Sequence, residues 1–205
     1  MMRKFLLTLF ISILPLMLMA QSEADIIKQI DRANAEMKSL ECDFVQTKHL
    51  KLLNDKMVSY GKMYYQQPSL LRWEYTKPYT YVFILNSNQV LLKNAQREDV
   101  VDVNNNKMFK EIVRLMMGSV VGSCLSDEKS FDVKITTLND EWIATLIPLK
   151  RDMKQMWTKL VLHFDIAKKS VSKVEMFEPS GDYTTIELKN IRQNVAINSA
   201  VFSIN

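Results

Sequence analysis

Beyond the first twenty residues the chain alternates between two hydrophobic periods, and the points where the period changes mark its predicted elements. Ile26, Ile30, Ala33 and Met37 recur at helical spacing while Lys28, Gln29, Asp31 and Arg32 face elsewhere, predicting an amphipathic helix of about four turns that ends near Ser39. Ser22, with Asp25 three residues on, has the form of a capping box at its start. From Cys42 the period falls to two. Met57–Gln66 is rich in Tyr and Met, and Leu71, Trp73 and Tyr75 alternate with Arg72, Glu74 and Thr76, as a strand with one dry face does. Tyr79–Leu85, Gln89–Lys93 and Asp99–Val103 continue the meander. Asn86-Ser87-Asn88 is a predicted hairpin turn, because Asn tolerates positive φ. The same pattern returns at Phe131–Thr137, Trp142–Leu146, Trp157–Ile166, Val171–Glu178, Tyr183–Lys189 and Val195–Ile204, with Lys150–Lys154 as a polar loop. Short strands with few helices between them predict an antiparallel sheet curling toward a barrel.

One helical segment interrupts the strands. Phe109, Ile112, Val113, Met116, Met117 and Val120 share a broad apolar face across Lys107–Val121, with Lys107, Lys110, Glu111 and Arg114 opposite and Gly118 and Gly122 toward its end. A helix so apolar, inserted in mid-sheet, has to cover something.

The N-terminal pattern belongs to neither period. Arg3 and Lys4 precede an apolar run, Phe5–Met19, and Ala20 leads into the polar Gln21-Ser22-Glu23. This is the layout of a cleavable secretory signal over residues 1–20, and the run is short for a membrane span. Export across an inner membrane follows, leaving 21–205 as a single domain. The 205 residues carry 27 Lys and Arg against 23 Asp and Glu, too balanced for a nucleic-acid partner. Cys42 and Cys124 would meet an oxidising compartment. Spacing leaves a bridge open, and burial as two free thiols is favoured.

Catalytic chemistry finds no support. The histidines are His49 and His163. His163 alternates with apolar strand neighbours, and His49 lies seven residues from Cys42, on the opposite face of one strand. The chain has no G-x-S-x-G elbow, phosphate loop, H-E-x-x-H or Cys/His cluster, so neither a metal nor a cofactor is expected.

Residues 61–78 read Gly-Lys-Met-Tyr-Tyr-Gln-Gln-Pro-Ser-Leu-Leu-Arg-Trp-Glu-Tyr-Thr-Lys-Pro. This resembles the LolA family of periplasmic lipoprotein carriers, with its glycine, strand, proline turn, tryptophan strand and second proline. Asp43-Phe44-Val45-Gln46-Thr47 resembles the family's F-x-Q segment, Leu146-Ile147-Pro148-Leu149 its L-x-P element, and Phe202-Ser203-Ile204 its closing strand. The resemblance extends over nearly all of residues 21–205. It implies a mainly β fold, an unclosed antiparallel β-barrel of about eleven strands with a helical lid and an N-terminal helix. It also implies a periplasmic chaperone that shelters the acyl chains of lipoproteins between an inner-membrane releasing complex and an outer-membrane acceptor. Such a carrier would be monomeric and would touch membrane surfaces transiently. Family members often carry Arg before the turn proline, where it helps regulate cavity opening; here the residue is Gln67. That departure keeps another cargo open, a free lipid or a polyene ester, beside a third alternative, an interaction module that docks a partner on an edge strand.

Hiding a long acyl chain contributes roughly 10 kcal/mol at about 0.8 kcal/mol per CH₂. Release without nucleotide then favours adaptable walls, which unbranched Met supplies. The expected cavity residues are Met63, Leu71, Trp73, Tyr75, Phe83 and Leu85 on the sheet, with Phe109, Ile112, Met116 and Met117 on the lid.

Overall fold

The computed structural model describes residues 22–105 and 107–204, without the side chains of Lys107, Met108, Phe109 and Ile112. The expected signal at residues 1–20 lies outside the described residues. Helix α1 (Glu23–Glu36) leads into β1 (Ser39–Leu50), β2 (Asp55–Gln66), β3 (Leu70–Lys77), β4 (Tyr81–Asn86), β5 (Gln89–Asn94) and β6 (Glu98–Asp102). Helix α2 (Lys107–Val121) then crosses to β7 (Phe131–Leu138) and β8 (Glu141–Pro148). After α3 (Arg151–Met156) come β9 (Lys159–Asp165), β10 (Ser170–Phe177) and β11 (Tyr183–Gln193).

All eleven strands form one antiparallel sheet in the order β6-β5-β4-β3-β2-β1-β11-β10-β9-β8-β7. The pairing of β1 with β11 joins the two runs of hairpins, setting Gln46 opposite Ile186 on one side and Ser59 on the other. Strands β6 and β7 stay unpaired with each other, so the barrel is open, and α2 is the segment that connects these two edges.

Side-chain alternation sends one set of residues to the concave face, where Leu40, Cys42, Phe44, Met63, Trp73, Phe83, Leu146, Leu162 and Phe164 form the main core. Phe44 stacks on Trp73 at 4.2 Å and meets Tyr75 edge-on at 5.3 Å. Gly61, directly across from Phe44, makes room for that ring: a Cβ there would collide with Phe44 and with the Glu74 carbonyl. Helix α1 seals one end of the core with Ile26 and Ile30, and Ser22 caps it by accepting from the Asp25 N–H at 3.2 Å.

A second, smaller core lies on the convex face, where Ile84 and Leu91 pack against Phe202. It corrects the expected strand at Val195–Ile204. That segment pairs with no strand; it turns through a 3₁₀ helix at Ser199–Phe202 and lies over β3 and β4. Asn198 caps the turn at the Ala200 N–H, while Arg72 and Asn86 donate to the Val201 and Phe202 carbonyls at 3.3 and 3.2 Å. Of Lys150–Lys154, read as loop, Lys150 is the N-cap and the rest opens α3, whose Met153 is buried. In the β4–β5 turn the positive φ of 56° falls on Ser87, not on an Asn. Gly118 sits within α2, and only Gly122, at φ 74°, ends it.

Candidate functional site

Between the concave sheet and α2 lies a cavity of about 320 Å³. Its sheet wall is built from inward positions of neighbouring strands: Met63 on β2, Trp73 and Tyr75 on β3, Tyr81 and Phe83 on β4. Val171, Val174 and Met176 on β10 join Ile186 and Leu188 on β11. Register makes this wall continuous, because Met63 faces Trp73, Trp73 faces Phe83, and Val174 faces Ile186 across their ladders. The lid contributes Leu115, Met116, Ser119 and Val120, and Trp157 closes one side.

Of the expected residues, Met63, Trp73, Tyr75, Phe83 and Met116 stand on this wall. Leu71 and Leu85 point to the same face but lie in solid core at its closed end, where they pair with each other between Tyr65 and Val90. Met117 packs against the main core instead of the cavity, since one residue further along a helix turns a side chain by about 100°. The Phe109 and Ile112 side chains lie outside the described residues. Residues of β10 and β11 supply much of the wall and were not expected there, although their alternation carries the same signal as that of β3.

Besides Ser119 on the lid, one hydrogen-bonded polar pair interrupts the apolar lining. The Tyr75 hydroxyl donates to Gln46 Oε1 at 2.8 Å. Burial holds the Tyr75 phenol above its ordinary range. Gln46 belongs to the F-x-Q segment, so its presence was legible, and its place two residues after buried Phe44 puts it on the inward face.

An ionic cluster fastens the lid. Arg114 on α2 donates to Glu111 at 2.8 Å, reaches Asp127 in the following connection, and donates to Ser130 Oγ at 3.2 Å. Burial opposes the charge on Glu111 and Asp127. Arg114 outweighs it at Glu111, and Ser130 with Arg114 does so at Asp127, so both carboxyls are held below their usual range. Gln67 lies elsewhere: its amide donates to the Asn34 carbonyl at 2.9 Å, tying the β2–β3 turn to the end of α1.

The remaining candidates for chemistry lie away from the cavity. His163 stands on the outer face between Glu141 and Glu175 at 3.0 and 2.8 Å, and His49 stacks on Tyr183 at 4.1 Å. Cys42 and Cys124 are free and buried. Burial pushes both thiols up to about 12, with Asp43 and Glu41 adding to the effect at Cys42. Among the described residues no group of three His, Cys, Asp or Glu side chains is placed to hold a metal ion.

A sequence profile of the family described as outer membrane lipoprotein carrier protein LolA matches residues 35–205. The chain belongs to the LolA family. A relative described as an outer-membrane lipoprotein carrier protein, from Methylococcus capsulatus, is 22% identical over 165 residues, covering 80% of this chain and 76% of its own. Among solved structures, an uncharacterized conserved protein from Thermus thermophilus superposes with a TM-score of 0.56 at 9% identity, covering 89% of this chain and 93% of that one. A chain of the Pseudomonas aeruginosa MucA/MucB complex gives 0.55 at 11% identity, with 87% and 60% coverage, so this protein spans three fifths of that chain's length. At these identities the structures establish a shared fold, and the LolA assignment rests on the sequence match.

Proposed function

We propose that this LolA-family chain is a periplasmic, non-catalytic carrier whose cavity binds the acyl chains of lipoproteins on their way from inner to outer membrane. The observation that carries this is the roughly 320 Å³ space walled by Trp73, Tyr81, Phe83, Met63, Met116 and Met176, in a chain whose sequence matches the family over residues 35–205. Residues 1–20 supply the export signal. An inner-membrane releasing complex and an outer-membrane acceptor complete the route.

The physics favours this cargo. Small-ligand pockets span about 300–1,000 Å³, so the resting cavity is at the small end and a full lipoprotein anchor requires α2 to lift. Three methionines on opposed walls let the lining follow an irregular chain without a fixed rotamer fit. Gln46 and Tyr75 mark where the carbonyl of an ester or amide at the head of an acyl chain would be met. Whichever way the Gln46 amide is turned, the pair keeps an N–H or O–H donor to offer.

A free lipid or polyene ester would suit the same wall, and Gln67 in place of the family's Arg keeps that second cargo open. It engages α1, which leaves the Arg114 cluster to hold the lid. The test is mass spectrometry of organic extracts and co-purifying polypeptides from protein isolated from its own periplasm without detergent. Triacylated lipoproteins in the bound fraction are the expected result. A free lipid would shift the cargo assignment, and an empty protein that also fails to take up acyl probes would overturn the carrier. The double variant Gln46→Leu/Tyr75→Phe, which removes both donors, is expected to weaken binding of an acyl ester about tenfold, the worth of one buried hydrogen bond, while leaving an alkane probe unchanged in fluorescence competition.

A further inference from the structure

The turn between β1 and β2 presents two adjacent leucines to solvent, Leu52 at 95% and Leu53 at 67% exposure. A lone exposed leucine is ordinary, but this pair stands on a braced stalk. The Lys51 N–H donates to Asp182 Oδ1 at 2.9 Å, the Asn54 N–H closes the turn on the Lys51 carbonyl at 3.3 Å, and the Lys51 stem lies against Gly181. Below it, His49 stacks on Tyr183, Tyr183 stacks on Phe177 at 5.4 Å, and Lys48 pairs with Glu178 at 3.1 Å. The hairpin is thus tied to the β10–β11 turn, and the leucines are held outward.

The stalk rises at the open end of the cavity. Along β1 the inward residues pass from buried Cys42 and Phe44 to half-buried Gln46 and Lys48. Along β3 they pass from buried Trp73 to half-buried Tyr75, and along β10 from buried Val174 to half-buried Met176. Burial therefore declines toward Leu50, and the turn lies beyond that rim. Met57, on the inward parity of β2 and 54% exposed, continues the apolar track from the cavity mouth toward the leucines.

We propose that Leu52 and Leu53 insert into the surface of a phospholipid bilayer and set the cavity mouth against it. A convex knob of two leucines is far too small for a specific protein interface of about 1,200–2,000 Å², whereas insertion needs only that the side chains leave water. Lys51 and Lys56 flank the knob, and their long stems let the ammonium groups stay at the headgroup level while the leucines go deeper. The charges around the tip balance, Lys48, Lys51 and Lys56 against Glu178, Asp182 and Asp55, so burial of the leucines and not a net charge drives the insertion. This goes beyond the carrier reading and locates where cargo crosses between cavity and membrane.

The test is flotation of the protein, without residues 1–20, on vesicles of phosphatidylethanolamine with a minority of phosphatidylglycerol. It compares wild type with the double variant Leu52→Ser/Leu53→Ser and measures uptake of a water-soluble fluorescent acyl probe alongside. The variant is expected to lose vesicle binding by about tenfold per leucine and to keep its probe uptake and urea midpoint, and wild-type binding is expected to change little as salt rises. A wild type that ignores the vesicles, or a double variant that floats equally well, overturns the insertion. Probe uptake without vesicle binding would refute this proposal alone, whereas a wild type that binds vesicles but no probe would refute the carrier and leave the tip.

Discussion

Single positions show how tightly the inward face is specified. Gly61 exists to admit the Phe44 ring, and any side chain there meets both that ring and the Glu74 carbonyl. Gly61→Ala is therefore expected to cost about 1–3 kcal/mol by overpacking, read as a lower urea midpoint with an unchanged slope. Cys42 and Cys124 follow from burial in the opposite sense. With both thiols at about 12, the reactive thiolate is scarce near neutrality. Neither is expected to react with iodoacetamide in native protein, and both should label once denaturant is added; rapid native labelling of either would contradict the packing. The face of Met63, Trp73, Tyr75 and Phe83 was legible because strand alternation has only two outcomes. Their depth was not: Leu71 and Leu85 obey the same alternation and still lie in solid core, since distance from the mouth depends on how the whole ladder is staggered.

At the scale of elements, the lid is the part most open to change. Helix α2 has an apolar stripe legible from its period, but what fastens it is Arg114 with Glu111, Asp127 and Ser130, partners that converge only in three dimensions. Arg114→Met is expected to cost about 1 kcal/mol, because the guanidinium is partly solvated, and to speed acyl-probe uptake in stopped-flow fluorescence. Acid should act on the same cluster. Carboxyls held below their ordinary values of 4.5 for Glu111 and 3.8 for Asp127 contribute stability that is complete above those values and lost as pH falls through the depressed ones. Dye binding at the cavity is thus expected to rise below about pH 4, and the Arg114→Met variant should show that rise blunted. The short α3 escaped detection because six residues with one buried methionine carry too little periodicity to outweigh their charge.

At the scale of the molecule, the C-terminal strap accounts for the unbroken apolar run Tyr81–Leu85. β4 is apolar on both faces because Tyr81, Phe83 and Leu85 face the cavity side while Val82 and Ile84 face residues 197–204. Phe202, 1% exposed, anchors that strap. Phe202→Ala is expected to cost about 3–5 kcal/mol in urea unfolding and to expose the convex face of β3–β5 to aggregation, seen in light scattering. A small effect would show that the strap is dispensable.

The order of elements apart from α3 and the C-terminal strap, the inward face of the strands and the apolar stripe of α2 were determined by the sequence itself, because hydrophobic period is a local property that each segment expresses without its neighbours. The LolA assignment was likewise legible, in motifs spread from Phe44 to Phe202. Tertiary structure alone decided which inward residues border empty space and which fill the core, and that Val195–Ile204 covers a face instead of extending the sheet. It also brought Arg114 to Asp127 and placed Leu52 and Leu53 beyond the cavity rim. Each of these depends on the pairing of β1 with β11 and on the stagger of eleven strands, which set distances between residues far apart in the chain and leave no period behind.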